Sequence, residues 1–297
     1  MYMFLFDVFW TEVLRLMMPW SELFFRVITI MGSDFFYLIL IAVEYWTVNK
    51  RASILTTYVL IISVVSNYWL KIIIRYPRPP DTNWLHGVEA VNYSLPSGHS
   101  QSSVMIWGWL SAKIKTWWMG VLSASLIVLV GLSRIYIGVH WLGDVVLGWA
   151  VGLLLLFLLL RLEAPTSSFL TRFRPVSLYL GLIVFGLASM IITELLSPVR
   201  IVGLEDNFGA NGGLIIGLGI GLALENKFVN FETSSKHVEK WQVALRAILG
   251  LILLFTSMIF LSPILPSDVY WLRSIRYALV TVFVMFLWPF IFDKLGL

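Results

Sequence analysis

Lys71 and Arg78 stand seven residues apart, with Pro79 closing the segment. The segment Pro96-Ser97-Gly98-His99 follows. Then comes Ser133-Arg134, with His140 six residues after Arg134 and Asp144 four after that. Within 74 residues the chain thus offers three cations, a Ser-Gly turn, two imidazoles and a carboxylate. That set suits phosphoryl transfer. Cations and backbone N–H groups can balance the equatorial oxygens, while one imidazole attacks and another protonates the leaving group. His140 and Asp144 are one helical turn apart and can share a face. The carboxylate then holds one ring nitrogen as a donor and leaves the other free to attack. Nearby cations lower an imidazole pKa and keep a nucleophilic ring neutral. The bland reading of His140 and Asp144, a polar pair capping a helix, is weakened by the arginine six residues upstream.

Taken together, these three blocks resemble the signature of the type 2 phosphatidic acid phosphatase (PAP2) superfamily: K-x6-RP, PSGH and SR-x5-H-x3-D. All eleven defining positions are present in order. The resemblance implies that His140 is the nucleophile, forming a phosphohistidine, that Asp144 orients it and that His99 is the general acid. It further implies that Lys71, Arg78, Ser97, Gly98 and Arg134 bind the phosphate. The reaction it implies needs no metal or cofactor. With four histidines and no cysteine the sequence suggests no separate metal site. His86 reads as a solvated loop residue, His237 as unrelated, and Arg75 as a headgroup contact or a partner for Asp81.

The elements that must position these residues are membrane helices. Hydrophobic residues make up 59% of the chain and charged residues only 13%, whereas globular domains are nearer 45–50% apolar and roughly 25% charged. The expected fold is an all-α, polytopic transmembrane bundle. A crossing needs about 20 apolar residues, and nine candidate spans follow residue 31: 33–49, 53–74, 97–112, 116–139, 142–162, 176–196, 208–226, 241–261 and 270–291. A polar stretch around Pro165, Arg172, Arg174 and Pro175 separates the fifth from the sixth. Three domains are expected: an interfacial amphipathic segment (1–31), a catalytic core (32–164) and a four-helix extension (165–297). In the first, Asp7, Thr11 and Arg15 draw a polar stripe down an otherwise apolar helix. In the last, Gly213, Gly217 and Gly221 form a small-residue face for close helix packing. The nine-span layout is similar to glucose-6-phosphatase and sphingosine-phosphate phosphatases.

Lys50, Arg51, Lys113, Lys115, Arg161, Arg172, Arg174, Lys227, Lys236, Lys240 and Lys294 fall on one side of these spans. That side is expected to be cytoplasmic, which puts all three blocks on the extracytoplasmic face of the cell membrane. The expected protein is an integral membrane phosphatase for a lipid phosphate or diphosphate, with the bilayer as its environment. No nucleic-acid or obligatory protein partner is evident. A soluble ester such as glucose-6-phosphate, or transfer to another acceptor, is the alternative within the enzyme class. A transporter with a relict site is disfavoured because the charges cluster at helix ends.

Overall fold

A polyleucine-like chain in lipid satisfies its backbone only as helix, and helix is what the sequence forms. The computed structural model describes residues 2–90, 92–196, 204–233, 239–266 and 269–297. In order, the helices are α1 (Tyr2–Leu5), α2 (Phe9–Met17), α3 (Glu22–Ile30), α4 (Asp34–Thr47) and α5 (Lys50–Ile74). They continue with α6 (Gly98–Ile114), α7 (Trp117–Ile137), α8 (Leu142–Leu170), α9 (Pro175–Leu196), α10 (Leu204–Phe228) and α11 (Lys240–Ile264). The last, α12 (Tyr270–Val282), runs through a π segment at Phe283–Leu287 into α13 (Trp288–Lys294).

All nine expected spans are helical. Among the described residues, six helices are long and apolar enough to cross a bilayer, and the α3–α4 pair, bent by 53°, would make a seventh. At 17 residues α6 falls short of that length, and α10 also falls outside the six. The chain is a multi-pass membrane protein. One expected boundary moves: α8 continues through Pro165 to Leu170. A mid-helix proline normally breaks the i−4 bond, but here it only loses one bond near the helix end, where Ser168 Oγ donates to the Pro165 carbonyl (3.0 Å).

Two compact units emerge: residues 1–38 with 58–163, and 39–57 with 164–297. The first unit holds every signature residue. Of its N-terminal stripe, Thr11 and Arg15 are turned against protein, while Asp7 is exposed and accepts the Phe9 N–H (2.9 Å). Thr11 Oγ1 donates to the Ile135 carbonyl (2.9 Å), and Arg15 donates to the carbonyls of Tyr136 (2.9 Å) and Asn83 (2.8 Å). These are the orphan acceptors at the end of α7 and in the loop before α6, so the pair caps a helix C-terminus. The apolar side faces outward: Leu16, Trp20 and Leu23 are 82%, 80% and 74% exposed.

In the second unit the glycine face of α10 meets α12 and its continuation backbone to backbone. A methyl group at Gly213 would stand 2.1 Å from the Ser274 carbonyl oxygen, and one at Gly217 would stand 2.4 Å from that of Ala278. Lys50 pairs with the buried Glu225 at 2.5 Å in the same unit.

Candidate active site

The three blocks arrive on four helix ends. Lys71 sits in the last turn of α5, and Arg78 follows in the loop. Ser97 is the N-cap of α6, and Arg134 lies in the last turn of α7. His140 and Asp144 bracket the start of α8. The join between the second and third blocks is main chain: Ser97 N–H donates to the Asp144 carbonyl (3.0 Å). Gly148 and Gly152 extend that contact. A methyl at Gly148 would lie 2.7 Å from the Ser97 oxygen, and one at Gly152 2.9 Å from the Gln101 oxygen. This second small-residue face, four residues in period, lets α8 lie directly on α6.

His140 is 3% exposed. Its Nδ1 lies 3.0 Å from Asp144 Oδ2 and 3.2 Å from Ser94 Oγ. Asp144 Oδ2 also accepts the Trp141 N–H (2.9 Å) and the Ser94 hydroxyl. On the other side of the ring, Arg78 Nη1 approaches Nε2 at 3.2 Å. A guanidinium has only donors, so Nε2 must be the lone-pair nitrogen and Nδ1 must carry the proton. That is the tautomer a nucleophile needs.

Arg78 is fixed by loop carbonyls. Nε donates to the Asn92 carbonyl (2.9 Å), Nη2 to Asn92 Oδ1 (3.1 Å), and Nη1 to the Val139 carbonyl (2.9 Å). Lys71 is buried and donates to the carbonyls of Tyr93 and Ser94, the latter at 3.1 Å. It therefore anchors the Ser94 segment as well as adding charge. Arg134 Nη1 donates to Thr29 Oγ1 (2.7 Å). Its Nε is buried with no acceptor among the described residues, a donor left for an oxyanion. Ser97 Oγ accepts from Ser100 N–H and hydroxyl (3.4 and 2.9 Å). The first-turn N–H groups of α6 at Gly98 and His99 are orphan donors of a helix N-terminus, aimed where an anion is stabilised. His99 is half-buried and makes no side-chain hydrogen bond among the described residues.

The electrostatics follow from burial and crowding. His140 is held well below the ordinary histidine range, first by burial and then by Arg78, Lys71, Arg134 and His99. Burial lowers Arg78 to about 10, with Asp144 opposing. A cluster that suppresses its own charges is one that an incoming phosphate would restore.

All eight residues expected at the site therefore lie on the converging helix ends of one unit. Arg75 turns away, exposed and bonded to the Ile72 carbonyl (2.8 Å), with no ion pair to Asp81. His86 is exposed, and its carbonyl accepts from Arg26 (2.7 Å). His237 lies outside the described residues. Ser94, Asn92, Thr29 and the Gly148–Gly152 face were not expected. Only the glycine spacing carried a local signal. Among the described residues no group of three or more His, Asp or Glu is placed to hold a metal ion.

Comparison with known proteins gives two family matches: PAP2 superfamily over residues 52–168, and PAP2 superfamily phosphatase, transmembrane extension, over 209–297. Undecaprenyl-diphosphatase of Sulfolobus acidocaldarius is 30% identical over 39% of this chain and 57% of its own length. Phosphatidylglycerophosphatase B of Bacillus subtilis is 29% identical over 51% of this chain and 79% of its own. Sphingosine-1-phosphate phosphatase 1 of Rattus norvegicus is 28% identical over 54% and 38%. The matched stretch thus spans little more than half of the first of these and well under half of the last. With the full signature gathered on one set of helix ends and both matches in register with the two ends of the chain, this protein belongs to the PAP2 superfamily, with 52–168 as its PAP2 domain and 209–297 as its transmembrane extension.

Proposed function

We propose that this protein is an integral membrane phosphatase that hydrolyses a lipid phosphate or diphosphate through a phosphohistidine at His140 Nε2. The observation that carries the reading is the His140 ring, bound through Nδ1 to Asp144 and presenting its lone pair to the Arg78 guanidinium. Nε2 attacks phosphorus and the ester P–O bond breaks. His99 gives its proton to the leaving oxygen. Water then attacks the phosphohistidine, His99 takes a water proton, and the N–P bond breaks to release phosphate. Arg78, Arg134 and Lys71, with the Gly98 and His99 amides, hold the oxygens throughout. Asp144 keeps the imidazolium that forms on attack in place.

The relatives' names, which refer to a polyprenyl diphosphate, a phosphatidylglycerophosphate and a sphingoid phosphate, support a lipid ester. In the loop between Arg78 and Pro96, Asn92 is committed to Arg78, while the exposed side chains of Asp81, His86 and Glu89 are the polar groups that a soluble ester would have to use. In this reading residues 32–164 carry the chemistry, 1–31 support them and 165–297 extend the bundle. The basic residues of the opposite helix ends favour an extracytoplasmic site on the cell membrane.

Labelled substrate quenched during turnover should leave acid-labile, alkali-stable phosphate on the protein, and His140→Ala should abolish it. Label that persists in His140→Ala assigns the nucleophile elsewhere. A soluble sugar phosphate turned over with tenfold higher kcat/KM than any lipid, about 1.4 kcal/mol of transition-state binding, defeats the lipid assignment.

A further inference from the structure

The loop segment that leads into Ser97 is held by its main chain. Arg78 Nε donates to the Asn92 carbonyl (2.9 Å), and Lys71 Nζ donates to the carbonyls of Tyr93 and Ser94. The Ser94 N–H donates to the Tyr76 carbonyl (2.9 Å). Asn67 lies one turn before Lys71 on the same face of α5, and its Nδ2 donates to the Pro96 carbonyl (3.3 Å). Ser94 is 0% exposed and both of its main-chain groups are paired, so its backbone cannot turn. The direction in which its hydroxyl leaves the chain is therefore set before any substrate arrives.

That direction is toward the imidazole of the third block. Ser94 Oγ donates to Asp144 Oδ2 and lies 3.2 Å from His140 Nδ1, which itself lies 3.0 Å from the same carboxylate oxygen. The three atoms close a triangle. An ionised carboxylate has only acceptors, so the serine proton points at Oδ2 and a serine lone pair is left for the Nδ1–H. The ring proton is thus shared between two acceptors. One acceptor fixes the place of Nδ1 but lets the ring pivot about it. Two acceptors on one edge, with Arg78 Nη1 3.2 Å from Nε2 on the other, remove the pivot. Direction matters because the attacking lone pair must lie in line with the bond that breaks. Phosphoryl transfer leaves a protein little to contribute besides such positioning and charge. Attack also turns the ring into an imidazolium, whose Nδ1–H then meets two acceptors.

We propose that Ser94 is a positioning residue for the nucleophile, its hydroxyl holding the His140 ring beside Asp144 so that Nε2 is aimed at the phosphorus. The role rests on the phosphatase reading, in which His140 attacks. Ser94 touches no substrate atom and acts through His140. A serine that only filled a buried site would behave differently on substitution. Ser94→Ala removes the hydroxyl and leaves every main-chain bond of the segment in place. Ser94→Cys keeps a side chain of similar shape with only a weak donor and acceptor.

The test uses the purified full-length protein in one detergent, with labelled undecaprenyl diphosphate, phosphatidylglycerophosphate and sphingosine 1-phosphate as probes. Variants are compared on whichever of the three the wild type turns over fastest. Single turnovers with protein in saturating excess give the rate constant of transfer to His140, which stays the same when a fraction of the protein is misfolded. In Ser94→Ala that constant should fall at least tenfold, with steady-state KM within threefold of wild type, and Ser94→Cys should not restore it. A smaller fall in Ser94→Ala overturns the proposal, as does a rate constant brought back to within threefold of wild type by Ser94→Cys. A rise in KM that accounts for the loss also overturns it, since that would place Ser94 in binding. If thermal unfolding shows that Ser94→Ala does not fold, the same tenfold criterion applies to Ser94→Cys. No phosphate release from any probe by the wild type overturns the phosphatase reading and the role of Ser94 with it, whereas His140 labelled at full rate in Ser94→Ala overturns the role of Ser94 alone.

Discussion

Gly148→Ala adds one methyl group in the second turn of α8, far smaller than most lesions, yet the structure predicts a large effect on turnover. The new Cβ would stand 2.7 Å from the Ser97 carbonyl oxygen and 3.1 Å from Ser100 Cβ, where ordinary contact begins near 3.4 Å. The shortfall, 3.4 − 2.7 Å, is 0.7 Å. The obstructing atom is backbone at a helix N-cap and cannot rotate aside, so α8 must move. Moving it by that amount stretches the Ser97 N–H to Asp144 carbonyl bond from 3.0 Å to about 3.7 Å, beyond hydrogen-bond range. The bond itself contributes only about 1 kcal/mol. The positional effect is greater, because the shift separates His99 from His140, and a 1 Å misplacement of reacting groups can cost roughly a hundredfold. The expected outcome is a fall in kcat of about tenfold to a hundredfold, with KM changed less. Phosphate release in detergent measures it, and Gly181→Ala serves as control, since nothing lies within 4 Å of the added atom. A kcat for Gly148→Ala within twofold of wild type would refute the claim that backbone contact between α6 and α8 sets the distance between the two histidines.

Stability should fall as pH drops below about 6.5, the ordinary histidine value. The unfolded chain then takes up a proton that the buried His140 refuses. The pH dependence of thermal unfolding should be shallower in His140→Gln, and equal slopes would contradict the burial argument. Orthovanadate should raise the melting temperature, because an oxyanion gives the buried Arg78 guanidinium, which burial lowers to about 10, a charged partner, and Arg78→Ala should lose most of that rise. Activity should survive EDTA, because Lys71, Arg78 and Arg134 supply the charge a metal would bring; activity lost in EDTA and restored by Mg²⁺ would contradict this. For topology, Asp81→Cys and Lys115→Cys lie exposed at opposite ends of the PAP2 unit in a chain with no other cysteine. An impermeant maleimide should label the first in intact cells and the second only after lysis; the reverse would put the site in the cytoplasm.

The signature residues were legible because polar side chains stand out in an apolar chain, and their spacing reflects one helical turn or one loop. The helices were legible for the same reason, since runs of Leu, Ile, Val and Phe leave the backbone one option. Pairwise contact was harder to read. Ser94 is one serine in a loop, and nothing local says that it bridges Asp144 and the His140 ring. Thr29 sits in an apolar helix 105 residues from the arginine it holds. The Thr11–Arg15 stripe was visible, but a polar stripe suits lipid headgroups and carbonyl acceptors equally well. Which of the two receives it depends on where α7 ends in space. Gly148 and Gly152 have the same spacing as Gly213 and Gly217, yet only the second pair, in a longer glycine run, was noticeable without the fold.

The outward face of α2 and α3 gives the bilayer a mechanical hold on the chemistry. Leu16, Trp20 and Leu23 present greasy surface to whatever surrounds the protein, so these helices ride on the lipid like a float. The float is moored to Arg134 by the single hydroxyl of Thr29 and to the end of α7 through Thr11 and Arg15. Thickness, lateral pressure or curvature that tilts the float would pull on the arginine proposed to hold the phosphate. On the proposed function the surrounding lipid becomes a working part of the catalyst, and rates taken in a micelle and in a membrane are expected to differ.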